Sequence, residues 1–294
     1  MRSTAELVLA GAAGSGRSAY ANALCHSLLV AGGAGDAGAL EAETGRAVHE
    51  AVARLRAGEW AEAPSPSSAD NADEAPRVFV YSAGFAKAEG KRGGDAPTAT
   101  ELVDCEADVW GALGAELAWS RDNPGRATLL KRVLAADAIL GFLDLTQIRL
   151  DPEAVQRSAG EIVSLAETMQ TRRARERRRG PLPVALIVSK CDLGNASAAN
   201  GAVHVLGGAR PPRMAGQEDL YQESLVHLAH LRRRLVRATG DVKGFAVSTL
   251  EWLRESGTLS HAQAIALDPR FEPNGIGLDL EAPVRWALGK AGLL

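Results

Sequence analysis

The sequence predicts an α/β protein built on a three-layer, mainly parallel, doubly wound sheet. Three observations carry this. Continuous apolar runs of strand length occur at Ala138–Leu145 (AILGFLDL) and Leu182–Val188 (LPVALIV), the pattern of strands buried on both faces. Segments of helical character alternate with them, as crossovers between parallel strands require. Residues suited to ligand chemistry stand directly behind the apolar runs, where open α/β sheets bind their ligands.

Taken in order, Glu6–Ala10 is a short apolar strand ending in glycines, and Arg17–Val30 reads as a helix. Residues 31–76 are rich in Ala, Gly, Ser and Pro, with a helix over Glu41–Ala57 and a loose end at Pro64-Ser65-Pro66. Val78–Tyr81 and Glu101–Val103 read as strands around a Gly-Lys-Arg turn. Pro152–Arg179 reads as a helix stopped by Gly180-Pro181. Residues 193–219 read as a Gly/Pro/Asn-rich loop. Leu220–Ala238 is a helix, Gly244–Val247 a strand, and Ala282–Ala291 a closing helix.

Composition bounds the function. The chain has 294 residues, 46% hydrophobic, with 33 basic against 36 acidic side chains and a formal net charge of −3. That balance argues against a nucleic-acid binder, which concentrates Lys and Arg against phosphates. Aromatics, at 4%, are scarce, so the core rests on Ala, Val, Leu and Ile. Cys25, Cys105 and Cys191 lack CxxC spacing and read as reduced thiols, the expectation for a cytoplasmic protein. The N-terminus superficially imitates a signal peptide, but Glu6 and glycines interrupt its short apolar run. No stretch supplies the roughly 20 apolar residues of a membrane helix.

Four segments behind strands carry the chemistry. Gly11-Ala12-Ala13-Gly14-Ser15-Gly16-Arg17-Ser18, continuing into Ala19, follows the first strand and opens a helix. Small residues let backbone N–H groups close around a phosphate chain, and the helix N-terminus adds positive potential. Ser18 is placed to ligate Mg²⁺; Arg17 stands where the GxxxxGK[ST] pattern has lysine. A small-residue turn in an Ala-rich chain also has a purely structural reading. Asp104, ending Leu102-Val103-Asp104, suits a magnesium shell, although strand-terminal Asp residues also start turns. In Ser189-Lys190-Cys191-Asp192, the Asp192 carboxylate can accept two hydrogen bonds from the N1–H and N2–H₂ edge of guanine, and the Lys190 stem can cover the base. Ser248-Thr249, after the last strand, can offer a backbone N–H to the guanine O6.

In this order the segments resemble those of the P-loop GTPases of the Ras-like (TRAFAC) class. GAAGSGRS matches the phosphate loop, LVDCEA the DxxG segment, SKCD the [NT]KxD guanine motif and VST the SAK-like loop. AADAILGFLDLT is similar to the family's central strand, and the likeness spans about residues 5–250. Leu55-Arg-Ala-Gly58-Glu-Trp60 before the Pro/Ser-rich stretch resembles, more loosely, the bacterial double-GTPases linked to conflict systems. The resemblance implies GTP/GDP and Mg²⁺ as ligands, a molecular switch with GTP hydrolase activity, and an unidentified protein partner. It also implies one enlarged domain over 1–294, with a long first switch region at 31–76, an insertion at 193–219 and a C-terminal extension at 251–294.

The departures weaken hydrolysis more than binding. Arg17 is broader and planar where lysine is a point charge. Ala107 replaces the DxxG glycine, whose freedom lets a switch rearrange. Ser189 replaces Asn or Thr and can still tie neighbouring loops together. Ser65, Ser67 and Ser68 are the candidates for ordering the first switch; Glu106 and Asp108 are poor substitutes for a water-orienting glutamine. No catalytic residue is assigned. The expectation is a guanine-nucleotide-binding switch with weak or partner-dependent hydrolysis; the alternative is a pseudo-GTPase acting as a protein-interaction scaffold. An ATPase or kinase has no support beyond the phosphate loop.

Two other features have plain structural readings beside a functional one. The arginine-rich run Arg172–Arg179 suits either an acidic partner or a solvated helix end whose dipole favours cations. Glu223, His227 and His230 share a helical face at metal-compatible spacing, which an amphipathic helix explains equally.

Overall fold

Parallel strands joined by helical crossovers are covered on both faces, so their side chains are apolar in both directions. The computed structural model describes residues 4–12, 14–31, 42–60, 78–85, 98–105, 131–176, 180–211 and 219–294. Within them, β1 (Thr4–Ala10), β2 (Val78–Phe85), β3 (Thr98–Cys105), β4 (Ala138–Asp144), β5 (Leu182–Ser189) and β6 (Gly240–Ala246) form one sheet in the order β2-β3-β1-β4-β5-β6. β2 runs antiparallel to β3, and every other neighbouring pair is parallel. The helices are α1 (Arg17–Ala31), α2 (Ala42–Arg56), α3 (Leu145–Leu150), α4 (Pro152–Arg175), α5 (Ala196–Leu206), α6 (Asp219–Thr239), α7 (Thr249–Glu255), α8 (His261–Leu267) and α9 (Ala282–Lys290).

The two-residue alternation of a strand divides the core into two layers. From β1, Val8 and Ala10 enter one layer, while Ala5, Leu7 and Leu9 enter the other. β5 repeats this, with Val184, Leu186 and Val188 on one side and Ala185 and Ile187 on the other. The first layer is closed by Ile162 and Met169 of α4, Ala199 and Ala202 of α5, and Leu228 and Leu235 of α6. The second is closed by Tyr20 and Leu24 of α1, Val48 and Val52 of α2, and Leu253, Ala264 and Val284 of the C-terminal helices. Gly141 in β4 lets α4 approach closely: a Cβ there would lie 3.1 Å from Ile162 side-chain atoms. The helices start where polar caps stand. Asp151 accepts from the Ala154 N–H at 2.9 Å and is followed by Pro152, whose missing N–H is harmless there.

The structure corrects one expected element outright. The segment 193–219 was expected to be a loop, but it carries α5 over Ala196–Leu206. Its Gly, Pro and Asn content reads as loop, yet Asn195 caps the helix and Ala199, Ala202, Val205 and Leu206 form a buried stripe. Tertiary burial overrides composition there. Other differences are in bounds: β2, β3 and β6 are longer than expected, and α4 ends at Arg175. Arg177–Arg179 lie outside the described residues. Arg173 of that run is buried and is no part of a solvated face, whereas Arg172 pairs with Glu176 at 2.7 Å.

Candidate functional site

β1 lies between β3 and β4, so the strand order reverses at it, the place where open α/β sheets form a ligand crevice beyond the carboxyl ends of their strands. The Gly11–Ser18 loop occupies that crevice. Gly11 has φ +150°, and a Cβ on it would stand 2.7 Å from the Phe142 carbonyl oxygen of β4, so no side chain fits. The Ser15 N–H closes a turn on the Ala12 carbonyl at 3.1 Å. Gly16 has φ +87°, and a Cβ on it would lie 3.6 Å from Ser189 Cβ, which places the loop beside the end of β5. Gly14 is exposed, Ser15 is buried with its Oγ unpartnered, and Ala19 is half-buried in the first turn of α1. Ala13 lies outside the described residues.

Asp104 reaches the same crevice from β3, which pairs with β1 through Leu9 and Asp104. Ser18 Oγ donates to Asp104 Oδ2 at 2.5 Å, and Arg17 Nε lies 3.6 Å from Asp104 Oδ1. Arg17 and Asp104 are both buried, at 7% and 4% exposure. The cation in the lysine position is therefore paired with the carboxylate expected to serve the metal. Ser18 and Asp104 supply one neutral and one anionic oxygen side by side, a donor set that fits Mg²⁺ when phosphates and water complete the shell. Among the described residues, no three His, Cys, Asp or Glu side chains converge on a metal-sized site. Glu223 and His227 are 3.6 Å apart, and the His227 ring is hydrogen-bonded to Gln156.

The loop after β5 stands beside the first. Ser189 Oγ donates to the Ser15 carbonyl at 2.6 Å, so it does tie the two loops together. Lys190 adopts the left-handed region at φ 58°, and its Nζ lies 2.7 Å from Asp144 Oδ2 at the end of β4. Asp144 also caps α3 through the Thr146 N–H at 2.8 Å. Cys191 is buried, and burial pushes its thiol up to about 12; the Cys25 thiol is raised likewise. Asp192 is only 2% exposed, and its Oδ2 accepts from the Glu251 N–H at 3.0 Å. Burial pushes its carboxyl up from 3.8 to about 6, against the backbone N–H groups that favour the ionised form. Ser248 is fully buried with its Oγ unpartnered, and Thr249 begins α7.

Thus Gly11, Gly14, Ser15, Gly16, Arg17, Ser18, Ala19 and Asp104 gather at the ends of β1 and β3. Lys190, Asp192, Ser248 and Thr249 gather at the ends of β5 and β6. Ser65, Ser67, Ser68, Glu106, Ala107 and Asp108 lie outside the described residues. Sequence reasoning missed Asp144, Glu251, Asn274 and the Asp268–Arg270 pair, whose nitrogen and oxygen atoms meet at 2.7 Å. A carboxylate in the otherwise apolar Leu250–Leu253 stretch and the Asn274-Gly275 pair were the available signals. Among the described residues, no helix is long and apolar enough to cross a membrane.

No protein-family model and no curated protein sequence matches the chain. Among solved structures, it is similar to the signal recognition particle receptor SRb-GTP/SRX complex from Chaetomium thermophilum. The identity is 12%, the TM-score 0.34, and the match covers 83% of this chain and 89% of that one. A likeness of that degree carries no inference about this chain's ligand.

Proposed function

We propose that the chain binds a guanine nucleotide in the crevice at the carboxyl ends of β1, β3 and β5 and acts as a GTPase-type switch with weak or partner-dependent hydrolysis. One observation supports this above the others. A glycine-constrained loop opening a 15-residue helix, a Ser–Asp pair and the SKCD loop converge there, joined by the Ser189–Ser15 hydrogen bond. In this reading the N–H groups of Gly14 and Gly16–Ala19 and the α1 dipole hold the phosphates. Ser18 and Asp104 hold Mg²⁺, which when bound neutralises charge on the phosphate oxygens. Asp192 accepts from the guanine edge, the Lys190 stem lies along the base, and Ser248 and Thr249 line the base's far edge. Arg17, engaged with Asp104, serves the loop's electrostatics more than the transferring phosphate, consistent with slow hydrolysis.

A scaffold without nucleotide is the second reading, favoured by a specific observation: Lys190 and Asp192 already have partners inside the protein. Fluorescent GDP and GTP titrations with phosphate-release assays on wild type, Asp192→Asn and Arg17→Ala separate the two. Saturable binding by wild type, lost in Asp192→Asn, supports the nucleotide site. Absence of binding, together with no rise in melting temperature in millimolar GTP and Mg²⁺, favours the scaffold.

A further inference from the structure

We propose that Glu251 and Asn274 are positioning residues for the base-selecting loop, which makes the C-terminal segment 268–277 a working part of the nucleotide site. The proposal rests on the guanine reading above. The loop from Lys190 to Gly194 leaves the sheet at a left-handed, non-glycine residue, a conformation that persists only when its surroundings over-determine it. Much of that determination comes from about 80 residues further along the chain. Asn274 Nδ2 donates to the Cys191 carbonyl at 2.6 Å, and the Glu272 N–H donates to the Asp192 carbonyl at 2.8 Å. These bonds hold the backbone on either side of the Asp192 Cα.

Glu251 completes the ring. Its carboxylate, 2% exposed, accepts the N–H groups of Asn274 at 3.1 Å and Gly275 at 2.7 Å. Its own N–H donates to Asp192 Oδ2. One residue thereby orients the Asp192 side chain through its backbone, and through its side chain anchors the segment that orients the Asp192 backbone. The Ser248 N–H is also taken up by this segment, at the Gly277 carbonyl, 3.0 Å away. A Cβ on Gly277 would lie 2.7 Å from Val247 Cα, so the contact is close-fitting. Recognition of two adjacent donors on a base edge needs a carboxylate held to about half an ångström, and this ring supplies that restraint for Asp192.

The test uses the full chain and compares GDP with inosine diphosphate, which lacks the 2-amino donor, and with inorganic pyrophosphate, which has no base. Glu251→Gln and Asn274→Ala are expected to weaken GDP binding about tenfold and to shrink the GDP-to-inosine preference toward one. Pyrophosphate affinity is expected to stay within about twofold. An unchanged preference, even with a lowered melting temperature, overturns the proposal and leaves the ring a purely structural brace. An equal loss for GDP and pyrophosphate overturns it as well. Asn274→Ser keeps the backbone N–H to Glu251 while losing the Nδ2 donor to the Cys191 carbonyl and the Oδ1 that accepts the Ile276 N–H, so it reads the same quantities if Glu251→Gln does not fold. Wild type that fails to prefer GDP over pyrophosphate overturns the guanine reading itself.

Discussion

The Glu251 N–H and the Asp192 carboxylate meet at 3.0 Å in a pocket that leaves Asp192 only 2% exposed. The bond favours the ionised carboxylate, yet burial outweighs it and pushes the carboxyl up to about 6. Between its usual 3.8 and that value, the folded protein therefore binds a proton that the unfolded chain does not. Asp192 makes the fold more stable on the acid side and relatively less stable as pH rises through about 6, by about 3 kcal/mol in all. The stability difference between wild type and Asp192→Asn, from urea denaturation between about pH 4 and pH 7, is expected to shift against wild type over that window. A flat difference contradicts the assignment. If the guanine reading holds, GDP affinity moves the other way, rising as Asp192 ionises.

Gly11→Ala places a methyl group 2.7 Å from the Phe142 carbonyl oxygen at a positive φ. The neighbour is backbone in a central strand and cannot move aside cheaply. A loss of about 2–3 kcal/mol in denaturant-measured stability is expected, with reduced affinity for pyrophosphate. Wild-type stability in this variant would mean that the loop is free to relax.

Ser189→Ala leaves the buried Ser15 carbonyl without its 2.6 Å donor. The expected cost is about 1–3 kcal/mol, and because the bond joins the two loops, nucleotide affinity is expected to fall alongside it. Ser189→Thr retains the hydroxyl and is expected to recover most of both. Calorimetric melting and a fluorescent-nucleotide titration on the same preparations check this.

Arg17 and Asp104 form a buried charge pair. Removing Arg17 takes the cation away from Asp104, which keeps the Ser18 hydroxyl, so Arg17→Ala is expected to destabilise by about 1–3 kcal/mol. The double variant Arg17→Ala/Asp104→Asn is expected to lose less than the sum of the single changes. Strict additivity in a denaturation cycle would show that the two groups do not couple across their 3.6 Å separation.

Much of the architecture was legible because burial leaves a periodic trace. The runs at Ala138–Leu145 and Leu182–Val188 coincide with β4 and β5, whose positions are buried throughout. Gly11 and Gly16 were legible as loop residues because positive φ selects glycine. α5 was not legible because the Gly, Pro and Asn residues around it mask its helix-favouring alanines until a sheet is present to bury one face. Glu251 and Asn274 were illegible for a related reason. Their partners lie far off in sequence, and a buried glutamate among leucines has no meaning until the segment it anchors is seen beside it.

What the sequence determined by itself is the set of chemistries and their places behind strands. Hydrophobic period and residue type are local properties, and they suffice to say that small residues, a Ser, an Asp and an SKCD segment end up at strand termini. Tertiary structure alone decided which of those groups face each other and which are already engaged. It turned Arg17 to Asp104, Lys190 to Asp144, and Asp192 to the N-terminus of α7, and it drew the C-terminal segment across the Asp192 loop. Pairing of that kind depends on distance and burial in three dimensions, where desolvation gives each contact its strength.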